Sequence, residues 1–157
     1  MVQITLPDGS TKEYEKKVTV EDVAYDIGRR LGKDAVAGIV DGEKVDTYYE
    51  IDEDVELAII TIDSEEGLDI LRHTASHIMA QAVKDLYDDV SIAIGPIIDD
   101  GFYYDFDFER SFTPEDLEAI EKIMAESIDA DLPFERQVVA RDEARKFFSR
   151  QNETYKL

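Results

Sequence analysis

Residues 62–67 read Ile-Asp-Ser-Glu-Glu-Gly, the only polar link between two segments that are each patterned with apolar residues. A link of that kind lets each flank bury its own core. The sequence therefore predicts two units, residues 1–62 and residues 63–157, both of α+β character. A chain of 157 residues suits two small domains.

The first unit is rich in strand patterns. Val2-Gln3-Ile4-Thr5-Leu6 alternates apolar and polar side chains, Pro7-Asp8-Gly9-Ser10 supplies a turn, and Thr11-Lys12-Glu13-Tyr14 returns as a hairpin. Thr19 is placed to cap a helix over residues 20–31, with Val23, Ala24, Ile27 and Leu31 buried and Gly32 as its stop. Residues 35–40, an Asp41-Gly42 turn and residues 43–49 form a second hairpin, and residues 55–60 close the unit as a buried strand. Two hairpins, one helix and a final apolar strand predict a β-grasp, ubiquitin-like fold. Residues 28–33 do not make a phosphate loop. Their spacing is wrong, and Asp34 stands where Ser or Thr is required.

The second unit opens on a helix pattern over residues 71–87, where Leu71, Ala75, Ile78, Met79, Ala82 and Leu86 recur at helical spacing. Residues 90–94 are strand-like, Gly95-Pro96 turns, and residues 101–108 form an aromatic strand. In that strand Phe102, Tyr104, Phe106 and Phe108 share the face expected to be core. Thr113 caps and Pro114 starts a helix to residue 130, burying Leu117, Ile120, Ile123, Met124 and Ile128. A strand over residues 133–139 and a short helix over residues 142–149 follow, with Ala144, Phe147 and Phe148 inward. Residues 153–157 read as a strand just beginning, so the second unit is expected to stop short of a complete domain.

The first helix of this unit holds the chain's two histidines, His73 and His77. One helical turn apart, their Cβ atoms lie about 5–6 Å from each other, within reach of one water, one metal ion or one substrate atom. At about 100° per residue they fall roughly opposite the apolar stripe, with Ala80 and Lys84 on their side. The small Ala80 would leave room above the helix, as in the wall of a cleft. A zinc-peptidase reading fails, because its general-base Glu must follow the first His and here Thr74 does.

Composition narrows the function classes. Zero cysteines remove disulfides and Cys-ligated metal within the chain. The formal charge of −21 opposes general binding to polyanions, so contact with nucleic acid must run through local patches. The best such patch is the outward face Arg141, Arg145, Lys146 and Arg150, for which a solvated face paired with nearby acids is the plainer reading. No apolar run approaches membrane-span length and no signal-peptide pattern is present, so a cytoplasmic location is expected.

One ordered series of motifs runs through both units. It comprises Ile4-Thr5-Leu6-Pro7-Asp8-Gly9-Ser10, Glu66-Gly67-Leu68, Arg72-His73-Thr74-Ala75-Ser76-His77, Ile94-Gly95-Pro96, Gly101-Phe102-Tyr103-Tyr104-Asp105 and Tyr155-Lys156. On these residues the chain resembles the N-terminal region of bacterial-type threonyl-tRNA synthetases. The resemblance implies a TGS domain over residues 1–62 and, over residues 63–157, an incomplete α+β editing domain of the kind that removes serine wrongly attached to threonine tRNA. It implies that His73 and His77 hold or deprotonate the hydrolytic water or orient the terminal ribose. Lys156 would be the cation near the ester, and Tyr104 a hydrogen-bonding wall residue. The family pattern continues with a Cys-x3-His pair that these residues do not include, so the chain alone is expected to be inactive or nearly so. It should require no cofactor and bind zinc weakly, if at all, at the incomplete histidine pair. ATP and a zinc ion would belong to an aminoacylation core elsewhere in the enzyme. Implied partners are threonine tRNA, bound weakly by this chain alone, and no membrane; the whole enzyme would be a homodimer and this chain a monomer. The alternative is a non-catalytic TGS-type module of a GTPase or nucleotide-signalling protein, which the missing phosphate loop opposes.

Overall fold

The computed structural model describes residues 1–132, 137–151, 153 and 155, in two compact units, Met1–Leu71 and Arg72–Leu157.

In the first unit β1 (Val2–Thr5) and β2 (Thr11–Tyr14) pair antiparallel, Val2 opposite Tyr14, around a turn in which Gly9 takes a φ of 82°. A side chain there would be strained, which is why glycine occupies it. Beyond β3 (Val18–Thr19), Thr19 accepts the Asp22 N–H at 3.1 Å, and Asp22 accepts the Thr19 N–H at 2.9 Å. This reciprocal capping box starts α1 (Val20–Ile27).

The expected single helix over residues 20–31 is in fact two. α1 ends at Ile27, Gly28 is extended, and α2 (Arg29–Asp34) restarts the helix. Gly32, expected to be a stop, is buried inside α2 against the Tyr25 ring, where an added Cβ would lie 2.4 Å from ring carbons. That close seat for Gly32 accompanies a break at Gly28, where the backbone is extended. Ile27, expected in the core, is exposed.

β4 (Ala35–Val40), β5 (Glu43–Val45), β6 (Glu50–Ile51) and β7 (Val55–Thr61) complete the unit. The main sheet runs β2-β1-β7-β4-β5, with β1 and β7 parallel (Ile4 opposite Val55) and the other pairs antiparallel; β3 pairs separately with β6. The returning strand is shorter than residues 43–49, because the chain turns after Val45, with Asp46 accepting the Tyr48 N–H at 2.8 Å. Val20 and Val23 of α1 pack on Ile4, Leu57, Val40 and Val55. Each such side chain, fully buried, contributes roughly 1.5–3 kcal/mol. A helix laid across a mixed sheet in this order is a β-grasp fold.

This unit runs to Leu71, beyond the expected end at residue 62. The polar stretch is tied down rather than loose. Ile62 N–H donates to the Asp34 carbonyl at 2.8 Å, and the Ser64 hydroxyl donates to the Thr61 carbonyl at 2.7 Å. Ser64 Oγ also accepts the Gly67 N–H at 3.0 Å, which caps α3 (Glu65–Leu86) from inside that stretch.

In the second unit β8 (Ser91–Ile92) pairs with β11 (Phe106–Asp107), and β9 (Ile97–Ile98) with β10 (Gly101–Phe102). The aromatic strand is thus interrupted at residues 103–105, yet its alternation survives. Phe102, Tyr104, Phe106 and Phe108 are half-buried, while Tyr103, Asp105 and Asp107 are exposed. α4 (Pro114–Asp129) buries Ile120 with Ile123 and Met124 beside it, but Leu117 and Ile128, both expected inward, are exposed. The strand expected over residues 133–139 falls partly outside the described residues, and residues 137–140 carry no strand. α5 (Arg141–Arg150) follows; Phe148 is half-buried, but Phe147, expected inward, is exposed. Ala82, Val83, Val90 and Ile120 form the core, ringed by Phe106, Phe108 and Phe112.

Asp116 gathers the polar contacts at the edge of that core. It accepts the Thr113 N–H at 2.8 Å in a second capping box, the Tyr87 hydroxyl at 2.6 Å and two N–H groups of Arg110. Arg110 in turn lies over the Phe108 ring at 4.9 Å. Its guanidinium, and then the Tyr87 hydroxyl, hold the Asp116 carboxyl well below the usual range.

Two predictions follow from these contacts. A Cβ at Gly67 would stand 2.0 Å from the Thr61 carbonyl oxygen, so Gly67→Ala should cost on the order of 1–3 kcal/mol in chemical denaturation. Because the Asp116 carboxyl is depressed, its stabilisation is present above the unfolded aspartate value of about 3.9. It is lost as pH falls from there towards the folded value. Asp116→Asn should therefore flatten the acid limb of melting temperature against pH; an unaltered acid limb would refute the assignment.

Candidate active site

α3 carries the histidine pair. Its buried face runs through Ser76, Ala80, Ala82 and Val83, each at most 5% exposed. Ser76 has no exposed surface, and its hydroxyl donates to the His73 carbonyl at 2.7 Å, so burial leaves no polar atom unsatisfied. The buried face is rotated from the stripe read in the sequence. Leu71 is exposed, and Ala80, expected to border an open cleft beside the histidines, is buried. His73 and His77 therefore stand at the margin of the buried face rather than opposite it. Both remain exposed, with ring centroids 4.6 Å apart and planes tilted by 44°.

Lys84 continues the same side of α3 two turns beyond His77. Its ammonium meets the Glu153 carboxylate at 3.0 Å and donates to the Val90 carbonyl at 3.3 Å. Glu153 is 8% exposed and is also held by its N–H to the Phe148 carbonyl at 3.0 Å. Burial, and then the negative charge of Glu153, push the Tyr104 phenol up. The Tyr104 ring stacks on Phe106 at 5.2 Å and closes over Gly95, where a Cβ would sit 2.0 Å from the ring.

Tyr104 also lines an open depression of about 570 Å³ with Met79, Val83, Phe106, Phe112 and Ile120. The lining does not include His73 or His77. The two histidines are thus brought together, whereas Tyr104 adjoins Met79 and Val83 of the same helix rather than the histidine pair. Lys156 lies outside the described residues. Just before it, the Tyr155 hydroxyl donates to Asp107 at 3.0 Å.

Sequence reasoning missed Glu153. Its only signal was one acid within a polar ending, and nothing local distinguishes a carboxylate that folding will bury. Lys84 was legible on the histidine side, but not its partner.

Two imidazoles at this separation suit proton transfer to and from a water or a hydroxyl. Toward a metal ion they would supply two donors. No group of three or more His, Cys, Asp or Glu able to hold one exists among the described residues, and a closed zinc shell takes four ligands.

Residues 2–61 match the TGS domain, so the first unit is a TGS domain of β-grasp fold followed by a mixed α/β second unit. The chain as a whole matches the N-terminal part of threonine–tRNA ligases. It is 56% identical over 157 residues to the threonine–tRNA ligase of Thiobacillus denitrificans, covering all of this chain and 25% of that protein. Identity is 54% over 156 residues with the Burkholderia lata enzyme, and 53% over 156 residues with that of Teredinibacter turnerae. Those alignments cover 99% of this chain and 25% and 24% of those enzymes respectively. The chain thus spans about a quarter of the length of these relatives. No helix among the described residues is long and apolar enough to cross a membrane.

Glu153→Gln should lower the Tyr104 phenol without returning it to its ordinary value, since burial, the larger cause, remains. Alkaline absorbance titration against a Tyr104→Phe reference measures this, and an unmoved phenol would remove Glu153 from the site.

Proposed function

We propose that this chain forms the tRNA-contacting and editing portion of a cytoplasmic, homodimeric threonine–tRNA ligase, in which it hydrolyses serine from mischarged threonine tRNA. The observation that carries the reading is the exposed His73–His77 pair on α3, in a chain 56% identical along its whole length to such a ligase. Aminoacylation would belong to the remaining length found in those relatives.

The chemistry has a physical motive. Serine lacks one methyl of threonine, and a binding site discriminates on such a difference by only about 1–3 kcal/mol. A second, hydrolytic site recovers the lost fidelity. One imidazole accepts a proton from water as the water oxygen attacks the serine ester carbonyl. The bond from that carbonyl carbon to the ribose oxygen then breaks, and the ribose oxygen takes up the proton. The second imidazole holds the water or the terminal ribose hydroxyl. The family resemblance assigns Tyr104 the role of a hydrogen-bond donor and Lys156 that of a cation for the ester. His73 and His77 supply two of the four donors of a closed zinc shell, and no step is assigned to a metal.

In a chain continued to the length of the relatives, His73→Ala and His77→Ala should each slow release of serine from seryl-tRNA by about 10²–10⁴-fold, the usual scale of general acid–base catalysis. Aminoacylation should be retained. Melting temperature should scarcely move, because both side chains are exposed. Loss of stability together with rate would make the pair structural, and an unchanged rate would exclude it from catalysis.

A further inference from the structure

In a chain of net charge −21, unpaired cations are notable where they cluster. α5 carries Arg141, Arg145, Lys146 and Arg150, all exposed. The plainer expectation was that neighbouring acids neutralise them. Among the described residues, none of the four forms an ion pair or a hydrogen bond. Elsewhere six cations are engaged, Lys12 with Asp26, Lys17 with Glu50, Arg30 with Asp34, Lys84 with Glu153, Arg110 with Asp116 and Lys122 with Glu126, and no other described helix carries four cations without such a partner.

Helix stability does not account for the arrangement either. Asp142 and Glu143 in the first turn and Arg150 in the last complement the helix dipole, but Arg141 at the first helical position opposes it. A cation held there against the local field, beside three more without partners, fits an external anion.

The apolar part of the surface narrows the anion. Phe147 is 55% exposed and meets Phe148 edge-on at 5.4 Å. With Val139, Lys146 and Arg150 these rings border an open depression of about 550 Å³. Cations that follow a phosphate backbone, interleaved with an aromatic face on which a base can stack, are the pairing that single-stranded and looped RNA uses. We infer that α5 is the RNA-docking face of the second unit, engaging the backbone of the transfer RNA whose ester the histidine pair treats. The choice of transfer RNA as partner rests on the proposed function. Asp142 and Glu143 lie in the first turn of the same helix, and Glu143 also borders the depression.

The test titrates a threonine-specific tRNA transcript with the 157-residue chain, by fluorescence anisotropy at several KCl concentrations. Replacing Arg141, Arg145, Lys146 and Arg150 together by Gln keeps the long stems and the helix propensity. It should weaken binding at least tenfold at low salt. It should also flatten the plot of log K against log salt by about 0.7–0.9 for each phosphate contact removed. Phe147→Leu should weaken binding without changing that slope. If the fourfold variant loses its circular-dichroism melt, the pairs R141Q/R145Q and K146Q/R150Q carry the test, each with part of the slope change. Unchanged affinity and slope would overturn the inference. So would an equal loss from R29Q/R30Q/K33Q in α2, or tighter binding of polyglutamate than of tRNA. His73→Ala in a chain continued to the length of the relatives separates the two readings: RNA bound with the α5 salt dependence while serine release keeps its unsubstituted rate sinks the proposed function and leaves this one standing.

Discussion

The second unit depends on which face of α3 is buried. Ser76, Ala80 and Ala82 are small, and Val83 is compact, so the packed face of the helix is nearly flat and almost wholly buried. A hydroxyl on that face is tolerable because Ser76 returns its hydrogen to the His73 carbonyl. Burying this face fixes the rotation of the helix about its axis. The rotation in turn determines that two imidazoles one turn apart meet solvent rather than the core, and that Lys84 points towards the carboxylate of Glu153.

Around that helix the polar contacts serve as clamps where chain segments change direction. Asp116 joins the start of α4 to the end of α3 through Tyr87, and to the preceding loop through Arg110. Ser64 does the same at the entrance of α3, capping it while holding the end of β7. A short polar side chain that donates one way and accepts the other converts a link into a joint of defined geometry. This is why residues 62–67, so polar in composition, are ordered and belong with the first unit.

Much of the candidate site was legible and some was not, for separable reasons. The spacing of His73 and His77 follows from helix geometry, and a helix was secure from the periodicity of residues 71–87. Their placement at the margin of the buried face was not secure, because apolar identity is a poor guide when the tightest packing is made by Ser and Ala. Leu71 and Leu117 illustrate the converse, being apolar, in helical register, and exposed. The half-burial of Tyr104 was readable from strand alternation, but the charge that perturbs its phenol comes from Glu153, distant in sequence and brought near only by folding.

Sequence by itself determined what local chemistry controls. Thr19 and Thr113 cap their helices because a hydroxyl three residues before a carboxylate satisfies the free N–H groups of a first turn. The alternation of Val2 to Thr5 and of Phe102 to Phe108 set which faces turned inward, since a strand repeats every two residues. Tertiary structure decided whatever required two distant segments to compete for the same space. It broke the expected helix at Gly28 and seated Gly32 on the Tyr25 ring. It buried Ala80, and among the described residues it left the cations of α5 without partners while pairing Lys84 with Glu153. Periodicity specifies a direction from the axis of one element, whereas burial and pairing depend on what another element brings to meet it.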